Sequence, residues 1–124
     1  MKRSRFFTLS ALFGFLFGGL MFLAPAKAAE SFGLVGTPET GILFRVLGSM
    51  LLSLGVLNIW VRKHPGSPTL KAVLGTNIFA HALAGIADLS AVGSGVLMFS
   101  KIAPGMVVHV FVIIGATIYI VKME

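Results

Sequence analysis

Apolar residues run almost unbroken through four stretches, 6–24, 41–61, 72–89 and 104–121, and the polar residues gather in the gaps between them. A helix needs ~20 apolar residues to cross ~30 Å of hydrocarbon, and each stretch is close to that length. The pattern predicts an all-α membrane protein, a compact antiparallel bundle of four transmembrane helices forming one domain over residues 1–124. Between the second and third stretches, Arg62-Lys63-His64-Pro65-Gly66-Ser67-Pro68 joins turn formers to a helix start in which Ser67 caps and Pro68 takes the first helical position. The second and third spans are therefore expected to form a tight hairpin.

Composition narrows this further. Of 124 residues, 56% are hydrophobic and 11% charged, with a mean hydropathy of +0.98, so no water-facing domain accompanies the spans. Cysteine is absent, which excludes disulfides and thiolate chemistry. The formal charge of +6 does not point to nucleic acid, because the basic residues flank the apolar stretches and form no stripe of their own. Their partner is the lipid bilayer. Placing both termini in the cytoplasm puts Lys2, Arg3, Arg5, Arg62, Lys63, Lys71 and Lys122 inside and only Lys27 and Lys101 outside, as the excess of basic residues in cytoplasmic segments requires.

The first stretch supports a second reading. Lys2, Arg3 and Arg5, an apolar run and Pro25-Ala26-Lys27-Ala28 have the shape of a secretory signal peptide, whose cleaved product would begin near Ala29. The run 6–24 exceeds the ~7–15 residues of a signal core and is long enough to span, so a retained first helix is expected.

Small residues mark the faces on which helices meet where lipid gives no hydrophobic drive for association. They are Gly14-x-x-x-Gly18 in the first span, Gly48 and Gly55 in the second, Gly75, Ala82 and Gly85 in the third, and Gly105, Gly115 and Ala116 in the fourth. Packing within the bundle is favoured over a dimer motif, since every span carries such residues.

Arg45, Asn58, Asn77, His81, Asp88 and His109 are the groups that lipid does not tolerate unpaired. At ~100° per residue, Asn77, His81 and Asp88 share one stripe of the third span. Arg45, Asp88 and His109 fall at similar depth near the outer ends of their spans, so an Arg45–Asp88 ion pair with His109 beside it is expected. His81 lies deeper, with Ser53 or a backbone carbonyl as its expected partner. Two histidines and one aspartate at these spacings match no metal-ligand motif, and no cofactor is expected.

Phe22-Leu23-Ala24-Pro25, then Ser31-Phe32-Gly33-Leu34, then a second span opening Phe44-Arg45-Val46-Leu47-Gly48 and running to Gly55, and a third span rich in glycine and alanine, resemble small bacterial four-helix membrane proteins of the DoxX-like type, including relatives classed only as domains of unknown function. The resemblance implies a multi-pass protein of the bacterial cytoplasmic (inner) membrane. It implies no chemistry: such proteins are uncharacterised or described as accessory subunits of membrane oxidoreductase systems.

No catalytic signature is present, so an enzyme is not expected. The leading expectation is a non-catalytic accessory or assembly subunit packed against other membrane protein subunits. Two alternatives stay open: a small proton-linked carrier using Arg45, Asp88, His109 and His81, and a protein in which His81 and His109 ligate one haem.

Overall fold

A computed structural model describes residues 1–123. Those residues form α1 (Arg3–Leu23), a short α2 (Pro25–Ser31), α3 (Pro38–Val61), α4 (Pro68–Gly93) and α5 (Phe99–Val121). The four long helices are each long and apolar enough to cross a membrane. At 1.5 Å per residue, even the 21 residues of α1 extend ~32 Å.

All four long helices begin before their apolar stretches, and at α3 and α4 a side-chain cap marks the start. Thr37 Oγ1 accepts the Thr40 N–H at 3.3 Å, Ser67 Oγ accepts the Leu70 N–H at 3.1 Å, and Pro38 and Pro68 open α3 and α4. Pro104, at the edge of an apolar stretch, lies inside α5 rather than at its start. The short α2 was not expected. Pro25 starts it directly after α1, and Gly33, at φ 83°, ends it in a turn that a side chain would strain.

The long helices pair unequally. α1 packs on α3 and α4 on α5, whereas α3 and α4, expected as a tight hairpin, touch only lightly. The cause is the distribution of glycine. A methyl group on Gly14 would lie 2.8 Å from the Leu51 carbonyl oxygen, and one on Gly18 would lie 2.9 Å from the Gly48 carbonyl oxygen. One on Gly48 would meet the Gly18 oxygen at 2.7 Å, and one on Gly55 the Phe15 ring at 2.9 Å. The α1 and α3 backbones are therefore in direct contact, which larger residues would prevent. Gly85 differs: its methyl position has nothing nearer than 3.8 Å, so it is not a close-approach glycine.

Two clusters fix the arms to each other and to α2. Phe6 and Phe7 of α1, Leu70 and Leu74 of α4, and Val112 and Ala116 of α5 are buried together, with the Phe6 ring seated on Gly115. Beside them, Arg3 donates to the His64 carbonyl at 2.6 Å and Tyr119 donates its hydroxyl to the Met1 carbonyl, gathering Met1, the α3–α4 turn and the last turn of α5 at one end. At the opposite end Met21, Ala28, Ala29 and Phe44 close α1, α2 and α3 around one another. The first end thus joins the α1–α3 arm to the α4–α5 arm. An open cleft of about 420 Å³ runs between α3 and α4, lined by Ser49, Met50, Ser53, Leu54, Leu57 and Ala80.

The outward surface is apolar, with Trp60 77% and Phe79 67% exposed. Its hydroxyls turn back on their own helices: Ser53 donates to the Ser49 carbonyl at 2.8 Å, Thr76 to Ala72 at 3.0 Å and Thr117 to Ile113 at 2.8 Å. That is how a lipid-facing hydroxyl is satisfied where water is absent.

Candidate functional site

The α4–α5 interface holds three ionisable side chains in a line. His81 and Asp88 lie seven positions apart on α4, two helical turns along one face, and His109 of α5 stands between them. Nδ1 of His81 is 2.8 Å from Nδ1 of His109, and Nε2 of His109 is 3.5 Å from Oδ2 of Asp88. The imidazoles are tilted by 57° with centroids 5.1 Å apart. The side chains of His109 and Asp88 are only 14% and 26% exposed.

This geometry constrains the protons. Two Nδ1 atoms at hydrogen-bond distance require one to donate and the other to accept. With Asp88 ionised, the favourable arrangement sets His109 Nε2–H toward the carboxylate, leaves His109 Nδ1 as acceptor and makes His81 Nδ1–H the donor. An extra proton arriving at the free Nε2 of His81 lets the Nδ1 proton pass to His109, which then faces Asp88 as an imidazolium. The three side chains form a line with one end at Asp88 and the other at His81.

His109 uses opposite ring nitrogens for its two neighbours, so the donors lie along a line and do not converge on a point. Among the described residues no group of three or more His, Cys, Asp or Glu could hold a metal. A haem iron between two imidazoles needs a bond of ~2 Å on each side, which two nitrogens 2.8 Å apart do not leave room for. The haem alternative does not fit these residues as they stand.

Arg45 does not join the cluster. It is exposed on α3, and the side chain set against Asp88 is that of His109. The buried stripe of α3 is Phe44, Gly48, Gly55 and Asn58, turned toward its neighbours, and Arg45 lies a step around the helix from Phe44. Among the described residues it forms no ion pair, and a stem of this length can carry a guanidinium toward the edge of a membrane. Asn77 also stands apart from the line. It exchanges two 3.1 Å amide hydrogen bonds with Asn58 and donates to the Val73 carbonyl at 2.9 Å. Both asparagines are 2% exposed. This reciprocal pair ties α3 to α4 beneath the cleft.

The histidine contact was missed in the sequence because depth along each axis separated His81 from His109 by several ångströms. The imidazoles span that offset, and both histidines do lie on the small-residue or polar faces of their helices. His81 is bonded to His109 and not to Ser53, which bonds within its own helix. The Asn58–Asn77 pair had a legible signal too: two amides capable of satisfying each other in neighbouring spans.

Comparison with protein-family models, curated proteins and solved structures finds no match for this chain.

Proposed function

We propose that this chain is a non-catalytic accessory subunit of a larger assembly in the bacterial inner membrane, and that its α4–α5 arm carries a proton relay for that assembly. It is an antiparallel four-span bundle with both termini cytoplasmic. The seven basic residues Lys2, Arg3, Arg5, Arg62, Lys63, Lys71 and Lys122 on one side against Lys27 and Lys101 on the other support that orientation. The meeting of Met1, Arg3, His64 and Tyr119 at one end agrees with it. The first helix is a permanent span, because Phe6, Phe7, Gly14 and Gly18 are committed to the interior. The DoxX-like resemblance belongs to the same proposal.

The observation that carries the function is the Asp88–His109–His81 line. A salt bridge alone would need one carboxylate and one cation. A second histidine, bonded through the nitrogen that the Asp88 contact leaves free, adds a path for a proton and nothing that a static latch requires. The open α3–α4 cleft supports the subunit part, since it offers an apolar seam to a neighbouring helix.

Extraction from native membrane in mild detergent is expected to bring down one stable partner complex with the chain. His109→Phe and Asp88→Asn should leave that association intact and lower the proton-coupled activity of the complex by about tenfold or more. A chain that purifies alone and itself dissipates a pH gradient in liposomes is a proton-linked carrier. Full activity in both variants would remove the relay.

A further inference from the structure

At the end of the bundle opposite Tyr119, α1, α2 and α5 line a second pocket, of about 210 Å³. Its walls include Phe17, Leu20 and Met21 from α1 and Phe32 from the end of α2, and Ser100 and Lys101 stand in the first turn of α5 at its mouth. The stem of Lys101 lies across the Gly33 turn, where a methyl group would come within 3.9 Å of Cε. Among the described residues Lys101 forms no ion pair. Asp88 is engaged by His109, and Glu30 of α2 does not line the pocket. The Ser100 carbonyl is also distinctive. Its helical donor would be the N–H of residue 104, which is a proline. The mouth therefore offers a cation beside a carbonyl acceptor lacking its usual donor, above an apolar interior.

We propose that this pocket holds part of one acyl chain of an anionic phospholipid, with the phosphate diester on the Lys101 ammonium and a head-group hydroxyl donating to the Ser100 carbonyl. The volume is below the ~300–1,000 Å³ of sites that enclose a whole drug-sized ligand, and suits a segment of chain whose remainder continues into the bilayer. A lysine at the membrane interface recognises phosphate as a point charge. The head group must carry a donor as well as a negative charge, which phosphatidylglycerol does and phosphatidylcholine does not. The inference rests on the membrane placement of the helices and is independent of the relay and of any partner complex.

Native mass spectrometry of the full chain released from vesicles of equal phosphatidylglycerol and phosphatidylcholine tests it. The native protein should retain the anionic lipid with about fivefold preference, the effect expected of one basic residue at a membrane surface. Lys101→Ala should bring the two lipids to parity. Ser100→Phe, which fills the mouth, should lower retention of both. Both positions are exposed, so unchanged thermal stability identifies variants that have kept the fold. Parity in the native protein, or an undiminished preference in Lys101→Ala, overturns the proposal. Displacement of phosphatidylglycerol by an equal concentration of oleate would assign the pocket to free fatty acids and overturn it as well.

Discussion

The two arms of this bundle solve the same problem by opposite means. In α1–α3, four glycines let the helices approach closely, and among the described residues no titratable side chain meets those glycines. In α4–α5, the helices meet across His81, His109 and Asp88, and the glycine at that interface, Gly85, has an ordinary amount of room. Lipid supplies no hydrophobic drive for either pairing, so close packing holds the first arm and polar contacts contribute to the second. Close packing has one geometry. A line of imidazoles has several protonation states, each with its own hydrogen-bond directions. The first arm is held by shape alone, and the second contains side chains that can gain or lose a proton.

The strongest way to break the contrast is to enlarge a glycine on each side. Gly48→Leu would push a side chain into the Gly18 carbonyl and the Phe22 amide, where no flexible atom can yield. It is expected to cost more than the ~1–3 kcal/mol of ordinary overpacking and to prevent recovery of folded protein from detergent. Gly85→Ala should fold with stability within about 0.5 kcal/mol of the native chain. Equal damage from the two would show that both arms depend on glycine in the same way.

A smaller effect sits at the junction of the arms. Asn58→Ala removes both amide bonds to Asn77 and is expected to lower stability by about 1–2 kcal/mol in detergent unfolding. In Asn58→Leu/Asn77→Leu neither amide is left unpaired, so the double variant should lose less than the sum of its single changes. Strict additivity would mean that the two asparagines do not satisfy each other.

Arg45→Ala is the smallest change, expected within about 0.5 kcal/mol in the same assay, because the side chain is exposed and Asp88 has another partner. A loss of several kcal/mol, rescued by Asp88→Ala, would restore the ion pair that sequence spacing suggested.

How far the sequence could be read depended on the kind of signal. Apolar length located four helices long enough to cross a membrane, and the Ser67-Pro68 pair located the start of α4, since both are local properties of the chain. Gly14, Gly18, Gly48 and Gly55 were legible as packing residues, but not which helix each would meet. Partner choice depends on how two faces fit, and that is why α3 packs along α1 and touches α4, the next helix in the chain, only lightly. In the site, Asp88 with His109 could be anticipated from equal depth. Arg45 could not be excluded, because depth is blind to rotation about the helix axis. His81 could not be included, because axial depth ignores the reach of a side chain.

The Phe6 ring on Gly115 joins the first helix to the last. During synthesis α1 and α3 can zip together as soon as the second span has entered the bilayer, but Phe6, Phe7, Leu70 and Leu74 stay without their α5 partners until the final span is released. A truncated chain ending before α5 would therefore display a half-built aromatic core to the lipid. It would offer a membrane protease a ready distinction between finished and unfinished copies.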